Sequence, residues 1–132
     1  MEREIIISHI RTSDLAIQTN DEHSLEVAER AERFTQEIGM SGWGRFLGGL
    51  HDKGKEKYDF QTYIRMMNEM PTKTNTYHDK THAYVGALLA RKLFPAGYPF
   101  VAYALAGHHA GMPDYLSLEE LLKKPLPTEV SL

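Results

Sequence analysis

The sequence predicts an all-α fold, a helical bundle with a metal site where helix ends converge. Several segments carry apolar residues at spacings of three and four, the period of an amphipathic helix. Capping residues precede these segments, and glycine or proline follows them. No alternation of strands and helices is present. The apolar run Ile5–Ile7 fits either a brief strand or an extended segment packed on the core. Since no partner strand is evident, we favour the extended segment.

Composition limits both the class of protein and the kind of site. The chain has 132 residues, enough for one domain, which we take to span residues 1–132. It contains no cysteine, which excludes disulfides, zinc knuckles and thiol nucleophiles, so any metal must be held by histidine, carboxylate and water. No signal-peptide pattern and no apolar run of about 20 residues are present, so we expect a cytoplasmic protein that does not interact with membranes.

The charge balance gives no basic surface typical of nucleic-acid binding. The sequence has 15 Lys and Arg against 18 Asp and Glu, a net charge of −3. Attraction of a polyanionic substrate must therefore come from bound metal ions and a few local lysines.

The first two predicted helices each place a histidine on their inward face. A capping box of Thr19 and Glu22 begins the first helix, which runs to about Ile38 and ends at Gly39. Its apolar face comprises Val27, Ala31, Phe34 and Ile38, and His23 lies one turn earlier on that face. The second helix spans Ser41 to His51 and buries Trp43, Phe46, Leu47 and Leu50, with His51 inward. Gly54 allows a sharp turn just beyond.

The third and fourth helices follow the same pattern. The third runs from Lys57 to Met70, buries Phe60, Tyr63, Ile64 and Met67, and ends at Pro71. Residues 72–80 form a polar loop, and we interpret His78-Asp79 within it as solvated. The fourth spans Thr81 to Phe94 with an inward stripe of His82, Gly86, Leu89 and Leu93. Glycine in mid-helix predicts close packing against a neighbouring helix.

The last two helices complete the bundle. The fifth, Phe100 to His109, is apolar nearly all round and therefore predicted to be central. It ends in Gly107-His108-His109-Ala110-Gly111. A capping box of Ser117 and Glu120 predicts a short sixth helix to about Lys124.

Five histidines at predicted helix ends, together with Asp52, indicate a metal centre. Each histidine alone is explained by a satisfied core position, but several buried imidazoles without partners are costly. The residues His23, His51, Asp52, His82, His108 and His109 supply enough ligands for two divalent ions bridged by Asp52. Such a pair suits hydrolysis of a phosphate ester, with Asp52 and Lys55 as catalytic residues. The alternative for Lys55 is an ordinary surface lysine.

These motifs resemble the HD superfamily of metal-dependent phosphohydrolases. The closest resemblance is to the HD nuclease domain of the CRISPR-associated type I helicase-nuclease, from about Ser8 to Gly111. The matching motifs are Ser8-His9, Glu22-His23, His51-Asp52-Lys53-Gly54-Lys55 with Phe60-Gln61, His82-Ala83 with Gly86-Ala87, and Ala106 to Gly111.

The resemblance implies a nuclease that cuts single-stranded DNA in antiviral defence. Its implied partners are a helicase domain or subunit and an RNA-guided surveillance complex. By motif, His23, His51 and Asp52 hold the first ion, and His82, His108 and His109 hold the second with Asp52. Lys55 matches a lysine beside the scissile phosphate. The ions are expected to be manganese, iron, cobalt, nickel or zinc rather than magnesium.

One departure from the family pattern affects the first ion. The family completes that site with an aspartate on a later helix, and nothing after Gly111 matches it. We therefore expect a weak first site and a chain that is part of a longer protein. Two alternatives remain: a phosphohydrolase acting on nucleotides or cyclic dinucleotides, and a binding module with a degenerate site.

Overall fold

The computed structural model describes residues 4–70, 82–109 and 111–131. Within these ranges the chain forms α-helices, one short 3₁₀ helix and one two-stranded antiparallel sheet. The α-helices are α1 (Asn20–Gln36), α2 (Ser41–Leu50), α3 (Tyr58–Met67), α4 (Ala83–Leu93), α5 (Tyr98–Gly107) and α6 (Tyr115–Leu122). The 3₁₀ helix covers Lys53–Glu56, and the strands are β1 (Ile7–Ile10) and β2 (Ile17–Thr19). The predicted all-α fold class is confirmed.

Helix starts follow their capping chemistry. The capping box of Thr19 and Glu22 is present at α1, and Gly39 adopts a positive φ of 72° just beyond its end. The predicted box at Ser117 is wrong. The Asp114 side chain accepts a hydrogen bond from the Ser117 amide, so α6 begins at Tyr115. The predicted start of the fourth helix at Thr81 and the loop of residues 72–80 lie outside the described residues.

The small sheet corrects the interpretation of the N-terminal segment. β1 pairs with β2, with His9 opposite Gln18 and an irregularity between Ile7 and His9. This bulge lets two successive side chains, Ile7 and Ser8, both be buried, each about 1% exposed. β2 could not be predicted from the sequence, because a strand of three residues has too few positions to show alternation.

The core is centred on α4, and α5, predicted to be central, buries one of its faces in this core. Residues Val85 to Ala90 of α4 are all buried, whereas Phe100 of α5 is 83% exposed. α4 packs against α5 and α6, with Leu50 of α2 completing the contact. The predicted close packing at Gly86 is confirmed, because a Cβ there would lie 2.7 Å from the Leu50 carbonyl oxygen.

The contact between α1 and α2 uses small residues, and two large residues of the predicted inward face of α1 lie outside it. A Cβ on Gly48 would lie 2.7 Å from Ala28 Cα, so the two backbones touch. Ala28 is buried, whereas Phe34 and Ile38 are 79% and 69% exposed. Glycine on one helix therefore selects the alanine face of its neighbour and leaves the larger apolar side chains outside.

Three other side chains predicted to be inward are exposed. Trp43 of α2, Met67 of α3 and Leu93 of α4 are 37%, 65% and 51% exposed. Each lies near one end of its helix, where packing partners are fewer. Trp43 contacts the Phe94 ring edge-on, with ring centroids 5.3 Å apart.

Candidate metal centre

Asp52 lies at the centre of the cluster, between the end of α2 and the 3₁₀ helix. Its side chain is 5% exposed. Oδ2 lies 3.0 Å from His23 Nε2, 3.2 Å from His51 Nε2 and 2.9 Å from Lys55 Nζ. Oδ1 lies 3.2 Å from His82 Nε2 and 3.4 Å from His108 Nε2. Each carboxylate oxygen therefore faces a different set of imidazoles.

The first histidine group, His23 and His51, comes from the helix pair α1 and α2. His23 is in the first turn of α1, and His51 is the C-terminal capping residue of α2. Their Nε2 atoms are 3.2 Å apart. Since α1 and α2 are antiparallel neighbours, the start of one helix and the end of the other meet at Asp52.

The second histidine group, His82, His108 and His109, comes from α4 and α5. His82 is the N-terminal capping residue of α4, and His108 is the C-terminal capping residue of α5. His109 Nε2 lies 2.9 Å from His82 Nε2. These three imidazoles and Asp52 each offer a donor atom, and the four atoms lie within 4.8 Å of one another.

Two of the imidazoles have their tautomer fixed by the helix that carries them. His51 Nδ1 lies 2.6 Å from the Gly48 carbonyl oxygen, and His108 Nδ1 lies 2.7 Å from the Leu105 carbonyl oxygen. A carbonyl only accepts, so Nδ1 carries the hydrogen, and in the neutral ring Nε2 has a free lone pair. This is the usual outer contact of a metal-binding histidine.

The electrostatics favour an ionised Asp52. Burial opposes its charge, but contacts with His108, His51, His82 and Lys55 hold the pKa of this carboxyl well below its usual range. Contact with Asp52 in turn raises the pKa of His108, against the effect of burial. The carboxylate is therefore available as an anionic ligand at neutral pH.

Burial keeps other imidazoles neutral. It lowers the pKa of His23 and of His109, and for His109 the nearby His108 and His82 act in the same direction. A neutral imidazole presents a lone pair to a metal ion. The site thus combines one anion with several neutral nitrogen donors.

The donor set fits divalent metal ions. Neighbouring ligands on an ion with bonds of about 2.1 Å lie roughly 3.0–3.4 Å apart. The three distances among His23 Nε2, His51 Nε2 and Asp52 Oδ2 are 3.0, 3.2 and 3.2 Å. Asp52 Oδ1 is buried and makes no hydrogen bond within the described part of the chain, although two imidazole nitrogens face it. A cation between these atoms would satisfy all of them.

Lys55 is buried beside the carboxylate. The residue is 4% exposed, and besides Asp52 its Nζ contacts Ser8 Oγ at 3.1 Å and His9 Nε2 at 3.4 Å. The alternative of an ordinary surface lysine is wrong. The ammonium group balances the negative charge of Asp52.

Backbone contacts hold the carboxylate and the second group in register. Asn20 Nδ2 donates to the Asp52 carbonyl oxygen at 3.2 Å. A Cβ on Gly54 would overlap the His82 carbonyl, so the 3₁₀ helix and the start of α4 touch directly. Gly54 has no positive φ, so space, not the predicted sharp turn, requires glycine here.

The structure also brings His9 to the cluster. His9 was not among the site residues predicted from the sequence. Donor atoms of His9, His23 and Asp52 lie within 4.8 Å of one another. The Ser8-His9 motif was the only available signal, because a three-residue partner strand cannot be read from the sequence. His78, predicted to be solvated, lies outside the described residues.

This geometry defines a helical domain with a metal site centred on adjacent histidine and aspartate residues. Comparison with known families matches residues 20–131 to the HD domain, and the chain therefore belongs to the HD domain family. HD domains are generally metal-dependent phosphohydrolases, which assigns this chain to the same class. A search of curated proteins finds no significant match.

The helices of the described ranges were also compared with the length and hydropathy needed to cross a lipid bilayer. None of them meets both requirements.

Proposed function

We propose that this domain is a nuclease that hydrolyses phosphodiester bonds of single-stranded DNA in type I CRISPR interference. The observation that supports it is the position of Asp52. One buried, ionised carboxylate has its two oxygens directed at two separate histidine groups. That arrangement suits a pair of bridged ions, the usual device for in-line displacement at phosphorus.

The residues divide between two ions. His23, His51 and Asp52 would hold the first, and His82, His108, His109 and Asp52 the second. Bound divalent ions supply charge neutralisation on the phosphate and activation of water near neutral pH. Imidazole-rich ligation favours manganese, iron, cobalt, nickel or zinc over magnesium.

The protein groups orient and charge the site. Asp52 stays anionic because of its imidazole and ammonium neighbours. Nδ1 contacts to Gly48 and Leu105 hold the His51 and His108 rings so that Nε2 faces the carboxylate. The Lys55 ammonium, 2.9 Å from Asp52 Oδ2, is close enough to contact a phosphate oxygen held at the same place.

The surroundings of the cluster favour a polymer over a small nucleotide. A nucleotide pocket requires aromatic rings that stack on the base and arginines that bind phosphate. The surface cavity beside His9, about 380 Å³, is lined by His9, Ile10, Arg11, Ala16, Ile17, Gln18 and Glu22. Its single arginine is already paired with Asp14 at 2.6 Å. His9 and His109 are exposed, so a strand can lie across the cluster.

The partners follow from the charge and the substrate. With a net charge of −3, the domain has no excess of basic residues with which to capture DNA by itself. A helicase domain or subunit would deliver the strand after an RNA-guided surveillance complex opens the duplex.

The test is hydrolysis of labelled single-stranded DNA with Mn²⁺, in parallel with duplex DNA, deoxynucleoside triphosphates and cyclic dinucleotides. We expect cleavage of the single strand alone, and its loss with EDTA or with Asp52→Asn. Asp59→Asn is the matched control, since Asp59 is an exposed carboxylate on α3. Hydrolysis of the small nucleotides without DNA cleavage would identify a nucleotide phosphohydrolase. Metal binding without any hydrolysis would identify a binding module.

A further inference from the structure

We propose that His9 is a ligand of the first metal ion, beside His23 and Asp52. This inference rests on the proposed function, because it requires that the cluster binds metal. It adds a residue from the small sheet to a site otherwise made by helix ends. It also supplies a further donor to the first histidine group, in which the sequence motifs provide only two imidazoles and a shared carboxylate.

The distances place His9 beside His23 and Asp52. Its donor atom lies within 4.8 Å of donor atoms of both His23 and Asp52. The His9 and His23 rings meet edge-on, with centroids 4.6 Å apart. By contrast, His9 is absent from the set of donor atoms around Asp52, His82, His108 and His109. An ion that binds His9 is therefore the first one.

The orientation of the ring is suited to a ligand. His9 Nε2 lies 3.4 Å from Lys55 Nζ, and an ammonium group has only hydrogens to offer. Nε2 must therefore carry a lone pair, and that lone pair is directed toward a cation. The same cation contacts Asp52 Oδ2 and Ser8 Oγ, so positive charge is already bound where His9 and Asp52 meet.

The strand holds His9 firmly enough for this role. Gln61 Oε1 accepts a hydrogen bond from the Ile7 amide at 2.9 Å, and its Nε2 donates to the Ile7 carbonyl oxygen at 2.8 Å. Gln61 also donates to the Lys55 carbonyl oxygen at 2.7 Å. One buried side chain thus ties β1 to the 3₁₀ helix that follows Asp52. The ring is presented on a fixed strand rather than on a loop.

Metal binding by His9 would also change the hydrogen-bond partners of Lys55. When His9 Nε2 binds an ion, it no longer accepts from the Lys55 ammonium. Lys55 then loses one of its acceptors and keeps hydrogens for a phosphate oxygen. The alternative is that His9 only positions Lys55 and never binds metal.

Cobalt binding separates these two roles without an activity assay. The apo protein and three variants, His9→Asn, His9→Asp and His9→Ala, are titrated with Co²⁺ and followed by visible absorption and equilibrium dialysis. We expect two ions in the unsubstituted protein. His9→Asn and His9→Ala should weaken one ion by at least about 10- to 100-fold, and His9→Asp, which restores a ligand, should recover most of that loss. Gln18→Ala, opposite His9 on β2, is the matched control and should leave both affinities unchanged.

A second measurement needs no substitution at His9. In the Co²⁺-loaded protein labelled with nitrogen-15 histidine, the His9 ring signals should show the large paramagnetic shifts of a bound imidazole. Unshifted His9 signals, or equal metal affinities for His9→Asn and His9→Asp, would overturn the inference. A His9-dependent ion in a protein that cleaves no DNA leaves the inference intact and contradicts the proposed function. DNA cleavage by a protein whose first ion does not depend on His9 would support the proposed function and overturn the inference. Failure to bind any ion would overturn both the inference and the proposed function.

Discussion

The two histidine groups are built in the same way but differ in charge. In each, a helix N-terminus and the C-terminal cap of an adjacent helix direct imidazoles at one oxygen of Asp52. In each, the C-terminal capping histidine donates its Nδ1 hydrogen to the carbonyl three residues earlier. Lys55, however, contacts only the Oδ2 side, at 2.9 Å. The same structural arrangement therefore produces two histidine groups with unequal charge beside them.

If each group binds the ion proposed for it, this difference in charge should make the two metal affinities unequal. On the Oδ2 side, an ammonium group competes for the carboxylate lone pairs and repels a divalent ion at close range. On the Oδ1 side, a buried oxygen that makes no hydrogen bond to any described residue faces two imidazoles. We therefore expect the second histidine group to bind its ion first and more tightly. The first ion then depends on the additional donors available to it.

The largest expected effect comes from replacing Asp52, the carboxylate that both histidine groups contact. Asp52→Asn takes away the anionic oxygen from both sites, so both ions should weaken by more than about 100-fold. Equilibrium dialysis with Mn²⁺ or Co²⁺ measures this, with Asp59→Asn as the control. Loss of only one ion would show that Asp52 does not bridge the groups.

Single histidine substitutions should separate the two groups. His23→Ala is expected to weaken the first ion and His108→Ala the second, each by about 100-fold, with the other ion changed by less than about threefold. Calorimetric titration of both variants resolves the two affinities. If either substitution weakens both ions equally, the division of Asp52 between two groups is wrong.

Gly54→Ala tests the contact that aligns the second group with Asp52. A Cβ would overlap the His82 carbonyl, so we expect a loss of about 1–3 kcal/mol in the free energy of unfolding and a weaker second ion. Gly49→Ala is the matched control, because a Cβ there meets no atom of the described residues within 4 Å. That substitution within α2 should instead stabilise the protein by about 0.5–1 kcal/mol. Urea unfolding measures both.

Lys55→Met should reduce the difference in metal affinity between the two histidine groups. Removing the ammonium beside Oδ2 is expected to tighten the first ion by about tenfold, or ~1.4 kcal/mol, while hydrolysis falls. Lys53→Met is the control, since Lys53 pairs with Glu56 at 2.7 Å and not with Asp52. Unchanged affinity for the first ion would mean that Lys55 moves away freely on metal binding.

The smallest effect is a difference in proton affinity in the metal-free protein. The pKa of His108 is raised by Asp52, and the pKa of His23 is lowered by burial. Protonation of His108 therefore stabilises the apo fold below about pH 6.5, and this contribution is lost as pH rises through its folded-state pKa. His23 acts oppositely, so its contribution is lost as pH falls through its own lowered pKa. Titration of the imidazole signals by NMR should show the two midpoints on opposite sides of 6.5.

Much of the bundle follows from the sequence because its signals are local. The capping box at Thr19 and Glu22, the close contact at Gly86 and the approximate helix ranges were predicted from neighbouring residues. The errors have a common cause. Phe34 and Ile38 match a helical apolar stripe, yet the glycine-containing surface of α2 packs on Ala28 instead. Which face is buried depends on the partner helix, which lies elsewhere in the chain.

The site shows the same limit. Histidines at helix ends, with an adjacent aspartate, predict a cluster because helix ends in a bundle meet. His9 was outside the predicted set because its position depends on pairing with β2 and on hydrogen bonds to Gln61. Neither of these contacts can be predicted from the spacing of residues in the sequence.

The sequence by itself determined the all-helical class, the absence of thiol chemistry and the donor types available to a metal, because these depend on composition and short-range spacing. Only the tertiary structure decided that the two oxygens of Asp52 face different imidazoles, that Lys55 is buried against one of them, and that a bulged strand brings His9 beside it. Those facts depend on contacts between segments far apart in the chain, and local periodicity carries no information about distance in space.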